Sequence, residues 1–384
     1  MRTVVFEDDN DKYASIAKVL IAKGVKENAI KRIDNIAKFV AIAKEDFDLC
    51  VIDLLMPTIP KGGATSSGME ILHMLDYAGK KRVPLLAITS FVDEAEKYRD
   101  AFAARGCIIY DFNRTETWTA ALDVFLAQAR DRGRYDFVIF TSISEERTAY
   151  LRLPGFKHES LLRYGVDHWD LTLGSADGTV ILLQRMGLVN ASVEIARVLE
   201  LYAPRIVAMS GICGGVAGNS VLGQLLVAER CWEYQSGKWY DDAFKAEPYH
   251  SVMPGRTGTV LAKMIEGPDV VTQFEAGFPG TVRPRTITQP RIAPFASGSA
   301  VIASEKRLRS VSDQHRKVAA IDMETFGLYR AVEMSGRDVH SFCAKTVVDM
   351  ANVAKDDELH FYGSYLSAKF TLAAVENLVT EKRH

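Results

Sequence analysis

Two stretches of this chain alternate short β-branched apolar runs with helical segments, and the polar hexapeptide ARDRGR, from Ala129 to Arg134, stands between them. Before it come TVVFE, LCVID, PLLAIT and CIIYD, interleaved with DKYASIAKVLIAKG, GMEILHMLDYAG and EAEKYRDAFAARG. Strand-length runs joined by helix-length segments predict a parallel sheet wrapped by helices on both faces. After the break the pattern restarts with YDFVIF, GTVILLQ, ASVEIARVLELYA, RIVAMSG, VAAID and SFCAKTVVD. The expected organisation is α/β throughout, with one domain over 1–128 and a second, with a mixed or parallel sheet, over 135–384. Two domains also suit 384 residues, at roughly 100–200 residues each. Between about 232 and 297 the text changes to WEYQSGKWYDD and the Pro/Arg-rich RPRTITQPR. That excursion reads either as a flap over a site or as surface.

Composition narrows the function classes. With 48% hydrophobic and 25% charged residues the chain can bury sizeable cores, and nothing in it suggests wholesale disorder. A formal net charge of -2 argues against nonspecific nucleic-acid binding and leaves room for a local basic pocket. Cys50, Cys107, Cys213, Cys231 and Cys343 lack the spacing of a disulfide framework or a zinc site, and read as thiols in a reducing cytoplasm. No apolar run approaches a membrane span, and MRTVVFEDDN turns acidic after one short apolar run, so neither a signal peptide nor a membrane segment is expected.

In the first domain Glu7 and Asp8 follow the first strand and Asp53 ends LCVID. The three carboxylates should meet at the carboxyl edge of the sheet, a hard-oxygen set suited to Mg²⁺. Thr89, ending LLAIT, would place a hydroxyl within reach of a phosphoryl group on Asp53. This order resembles the receiver domain of two-component response regulators, over about residues 1 to 125, with flavodoxin-like topology. The resemblance implies that Asp53 accepts a phosphoryl group from a histidine kinase; the alternative is a receiver-like fold used for docking or dimerisation. The family's lysine should fall near Asn113, and none stands in YDFNR; Arg114 is a candidate replacement. The loop PTIPKGGATSSG after Asp53 is also longer than the family's turn.

In the second domain, Gly211, Gly214 and Gly215 of MSGICGGV follow a strong apolar strand, where glycines let backbone approach a ligand closely. QRMGLVNAS, SGICGGV, PFASGSAV, IDMET and KTVVDMAN follow one another in that order. Together they resemble the purine nucleoside phosphorylase and methylthioadenosine nucleosidase superfamily, over about 135 to 380. The resemblance implies that Glu324 grips the ribose hydroxyls, that Met323 packs beneath the sugar, and that Gly211, Cys213 and Gly214 border the substrate. Asp322 is either part of that site or an acid at a helix N-terminus. Asp349 matches the aspartate that protonates N7 of the leaving purine, and an aspartate there points to a 6-aminopurine. Of Glu145 and Glu146 in TSISEERTAYL, the family register favours Glu146 as the base that activates water.

Arg185 stands where related phosphorylases place anion-binding groups. Arg152, Lys157, His158, Arg163, Arg283, Arg285 and Arg291 are further cations that read either as phosphate ligands or as surface. A receiver joined to a purine nucleosidase resembles the effectors of Detocs antiphage defence systems. That likeness implies hydrolysis of the N-glycosidic bond of ATP, released as adenine and ribose 5-triphosphate, under control of phosphorylation at Asp53. The alternatives are a nucleosidase or phosphorylase acting on AMP, adenosine or methylthioadenosine, and a nucleotide sensor without catalysis. The second family also implies a homo-oligomer.

Overall fold

Val4 and Phe6 pack on one face of a sheet while Val5 packs on the other, because successive residues of a strand point to opposite sides. Both faces of β1 (Thr3–Phe6) are buried, which places it inside the sheet. The computed structural model describes residues 1–43, 45, 47–60, 62–80, 83–131, 135–241, 243–267, 269–351 and 358–380. The chain divides into two units, Met1–Gly133 and Arg134–His384.

In the first unit β1 is followed by α1 (Asn10–Ala22), β2 (Ile30–Ile33), α2 (Ile36–Ile42) and β3 (Leu49–Ile52). A short hairpin, β4 (Leu55–Pro57) with β5 (Ala64–Ser66), then leads into α3 (Gly68–Tyr77). The long segment after Asp53 is thus paired backbone rather than an open loop. β6 (Leu85–Thr89), α4 (Val92–Ala104), β7 (Ile109–Asp111) and α5 (Thr115–Asp131) complete the unit. The sheet runs β2-β1-β3-β6-β7 with every pairing parallel. In such doubly wound sheets ligands gather beyond the carboxyl ends of the strands where the order reverses, here between β1 and β3. Asp9 caps α1 by accepting from the Lys12 amide at 2.8 Å, which fixes how the chain leaves β1.

The second unit begins with β8 (Phe137–Thr141), α6 (Ser144–Thr148), β9 (Glu159–Arg163), β10 (Val166–Leu173), β11 (Ala176–Leu182), α7 (Leu188–Tyr202) and β12 (Ile206–Gly215). After β13 (Leu225–Glu233) come the hairpin β14 (Gly237–Tyr240) and β15 (Ala243–Ala246), then β16 (His250–Val252), α8 (Gly255–Ile265), α9 (Val270–Glu275) and β17 (Arg291–Ser297). The segment from 232 to 297 is therefore largely ordered elements rather than one loop, and Trp232 and Tyr234 anchor its start in the core. α10 (Glu305–Ser312), β18 (Ala320–Asp322), α11 (Thr325–Met334), β19 (His340–Asp349) and α12 (His360–Thr380) follow.

The ten-stranded sheet is mixed. β19 is parallel to β12 and antiparallel to β13, β13 pairs with β17, β17 with β18, and β18 returns to β12. These pairings close a ring of five strands. Enclosure on both faces explains why nearly all of β19 is buried, its polar Ser341, Lys345 and Thr346 included. Among the described residues no helix is long and apolar enough to cross a membrane.

Candidate functional site

β8 ends at Thr141, and the chain turns through Ser142 and Ile143 into α6. Glu146, in the first turn of α6, reaches back across this turn. Its Oε2 accepts from the amides of Ser142 at 2.6 Å and Ile143 at 3.2 Å, and its Oε1 accepts from the Ile212 amide of β12 at 2.9 Å. Only 2% of Glu146 is exposed, whereas Glu145 is exposed. Burial pushes the Glu146 carboxyl up to about 7, with Lys345 pulling it down and Glu324 adding to the rise.

Gly211 makes this placement possible, since a Cβ there would lie 2.1 Å from Glu146 Oε1. Its role is to leave space for the carboxylate. Gly211→Ala is expected to cost roughly 1–3 kcal/mol by overpacking. If Glu146 acts in the reaction, displacing its carboxylate should also lower turnover by about 10²-fold. Melting curves and initial rates check the two effects separately.

A buried ion triad lies beside Glu146. Lys345, in the middle of β19 and 1% exposed, places its Nζ 2.8 Å from Asp322 Oδ2 and 2.9 Å from Glu324 Oε2. Burial alone would push the lysine down, but Asp322 and Glu324 hold it well above its ordinary value. Glu324 sits at the N-terminus of α11, and its Oε1 accepts from the Gly187 amide at 3.1 Å. Asp322, at the end of β18, accepts from Ser297 Oγ at 2.6 Å, from the Thr325 amide at 3.1 Å and from Thr325 Oγ1. Burial raises the Asp322 carboxyl, and Lys345 outweighs it to leave the group below its usual range. The bond to the Thr325 amide is the helix-terminal contact weighed from sequence, and the pairing with Lys345 adds a second duty.

Asp349 ends β19. The register between β12 and β19 slips after Cys213, pairing Cys213 with Val347 and Gly214 with Asp349. This irregularity turns Asp349 beside Gly214, where a Cβ would meet its Oδ1 at 3.1 Å. Oδ1 also accepts from the Ala351 amide at 2.7 Å.

Glu146, Glu324, Asp349 and Lys345 line one cavity of about 180 Å³, together with Asp322, Met323, Cys213 and Gly214. Ile143, Met186, Val301, Ile302, Ile321 and Val348 supply its apolar walls. Arg185, expected to bind an anion, is exposed, and its neighbour Met186 lines the cavity. Arg152, Lys157, His158 and Arg285 are exposed. Arg163 pairs with Asp170 at 3.2 Å, Arg283 donates to the Gly280 carbonyl at 3.1 Å, and Arg291 donates to the Asn219 carbonyl. Among the described residues, the basic side chains lining the cavity are Lys345 and His360.

In the first unit, Glu7, Asp8 and Asp53 bring carboxylate oxygens within 4.8 Å of one another. Asp53 Oδ1 accepts from the Leu54 amide at 2.7 Å. Thr89, buried at the end of β6, accepts at its Oγ1 from the Phe91 amide at 3.1 Å. Among the described residues, the cation paired with these carboxylates is Lys12, with Nζ 2.8 Å from Asp53 Oδ2 and 3.0 Å from Glu7 Oε2. Arg114 is exposed, 3.9 Å from Asp111. Burial pushes Glu7 up to about 7, opposed by Lys12 and reinforced by Asp53.

The sequence profile of the phosphorylase superfamily matches residues 136–379. The chain belongs to that superfamily. Across 99% of its length this superfamily member is 28% identical to the uncharacterised protein y4jS of Sinorhizobium fredii, covering all of it. It is 25% identical to the ATP nucleosidase Cap17 of Escherichia coli over 61% of its own length, and spans half of that relative. In fold it is similar to the 5'-methylthioadenosine/S-adenosylhomocysteine nucleosidases of Helicobacter pylori and Streptococcus pneumoniae, with TM-scores of 0.51 and 0.50 at 16% identity. Those matches cover 63% of this chain and 98% and 99% of theirs. Superfamily membership, with nucleosidases among the relatives, makes the chain an enzyme acting on N-glycosidic bonds.

Two residues of this superfamily member escaped sequence reasoning. Lys345 is the one lysine of its strand, and such a lysine is buried only when paired; that rule is the signal that would have singled it out, although not its partners. Lys12 lies four residues after Asp8, one helical turn from the acids, and otherwise looks like any solvated helix lysine.

Proposed function

We propose that the second unit hydrolyses the N-glycosidic bond of an adenine nucleotide, with ATP as the first candidate. The observation that carries this reading is the meeting of Glu146, Glu324 and Asp349, from three separate segments, around one cavity. Glu146 takes a proton from water, and the oxygen bonds to C1′ of the ribose as the C1′–N9 bond breaks. Glu324 accepts hydrogen bonds from the sugar hydroxyls and stabilises positive charge developing at the ring. Asp349 delivers a proton to N7, so that adenine leaves neutral. Met323 packs against the ribose, and Cys213 and Gly214 border the bound substrate. ATP and water yield adenine and ribose 5-triphosphate.

Support for ATP comes from similarity to Cap17, and an enzyme that strips adenine from ATP would serve as an antiphage effector. A second reading, AMP, adenosine or methylthioadenosine, is favoured by the apolar walls and by the scarcity of cations among the described lining residues. Incubation with each of these and with ATP, with and without phosphate, followed by chromatography, separates the readings. Adenine from ATP without phosphate supports the proposal; release from methylthioadenosine alone, or only with phosphate, overturns it.

For the first unit the proposal is a receiver-like switch. Oxygen of Asp53 attacks the phosphorus of a kinase phosphohistidine, the N–P bond breaks, and the imidazole regains its proton. Glu7, Asp8 and Asp53 form a donor set that fits Mg²⁺. The ion would supply charge to offset phosphoryl oxygens, while Thr89 donates its hydroxyl to one of them. Exposed Val189 and Val193, one turn apart on α7, support the proposed homo-oligomer.

A further inference from the structure

Lys12 occupies the third position of α1, where the helix dipole disfavours a cation, and a lysine stem readily carries its charge out to water. Yet Lys12 is only 6% exposed. Its ammonium lies between Glu7 Oε2 and Asp53 Oδ2, at 3.0 and 2.8 Å, with the Phe112 ring centroid 5.5 Å away. Close as they are, Lys12 Nζ and Glu7 Oε2 do not meet in hydrogen-bonding geometry. The lysine is held there by charge.

The oxygens it bridges belong to the same carboxylate set that suits a divalent cation. Lys12 Nζ stands 3.0 Å from Glu7 Oε2 and 2.8 Å from Asp53 Oδ2, so a divalent ion held by those two oxygens would need the space that the ammonium fills. We infer that Lys12 is the tethered counter-cation of this pocket and competes with a divalent ion for Glu7 and Asp53. This rests on the proposed divalent-cation site. The positive charge near Asp53 thus comes from the first turn of α1 rather than from the segment after β7. Loading the pocket requires the ammonium to swing aside, which leaves it close enough to pair with an anionic group on Asp53.

The test is calorimetric titration of the full-length protein with Mg²⁺. Two like charges a few ångströms apart repel strongly even at a protein surface. Lys12→Met should therefore bind Mg²⁺ roughly tenfold or more tighter than the parent, and Lys12→Gln provides the same test should the methionine variant fold poorly. Lys12→Arg, which keeps the charge, should stay near the parent, and adding Asp53→Asn to Lys12→Met should remove the gain. Unchanged or weaker affinity in Lys12→Met and Lys12→Gln, with binding intact in the parent, overturns the role of the lysine alone. Absence of Mg²⁺ binding in the parent and both variants overturns the metal-site reading, and the inference with it. Labelling of Asp53 by acetyl phosphate, read by intact mass, reports on the receiver proposal independently.

Discussion

Glu146→Gln is expected to lower adenine release by roughly 10²–10⁴-fold, the usual contribution of a general base. The buried carboxyl, at about 7, is partly ionised at neutral pH, so kcat/KM should climb as pH rises through about 7. That limb should vanish in the variant. The linkage has a definite sign. A folded value raised above the ordinary glutamate value of 4.5 means the folded state binds the proton more tightly. This contribution to stability is present below about 4.5 and is lost as pH rises through about 7. Glutamine should flatten the dependence. It brings its own cost, because Glu146 accepts three amide bonds and an amide NH₂ cannot accept. Roughly 1–3 kcal/mol is expected for that mismatch. Rates are therefore compared well below the melting transition, and a variant that keeps parental turnover removes Glu146 from the mechanism.

Lys345→Met should have the largest effect on stability. Removing the ammonium leaves Asp322 and Glu324 buried without their cation, a change that costs roughly 3–5 kcal/mol. For a unit of this size that corresponds to a melting point lower by about 6–20 °C. Adding Asp322→Asn and Glu324→Gln should recover part of the loss, because the unpaired charges are gone. Activity should not recover if position 324 grips the sugar as proposed, since a glutamine there accepts hydroxyl bonds without the charge. A Lys345→Met protein that melts with the parent would mean that water reaches the two carboxylates and that the triad is not sealed.

The legible part of this molecule is the part set by periodicity and local chemistry. TVVFE, LCVID, RIVAMSG and KTVVD are apolar enough to be strands in any α/β arrangement, and they form β1, β3, β12 and β19. Glu146, Glu324 and Asp349 were reached through the likeness of their motifs to the phosphorylase and nucleosidase superfamily rather than through periodicity, and they line one cavity. What escaped depends on distance in space. Lys345 is buried because Asp322 and Glu324, more than twenty residues earlier, turn toward it. The slip of register after Cys213, which brings Asp349 beside Gly214, leaves no mark in composition. The cations depend on distance in space too: Arg163, from the group after the first strand of the second domain, and Arg283 and Arg291, from the excursion, each find a separate partner. In the turn before α7 a single position decides the matter, with Met186 at the cavity and Arg185 outside it.

The most direct test of the proposed chemistry is chromatographic measurement of adenine after incubating the purified protein with ATP. Acetyl-phosphate-treated protein and Asp349→Asn are run beside it. The proposal predicts adenine and ribose 5-triphosphate in equal amounts from the parent or its treated form, and roughly 10²-fold less or lower still from Asp349→Asn. Equal adenine from parent and variant would remove Asp349 as the acid, and no adenine from ATP under either condition would contradict the ATP nucleosidase account.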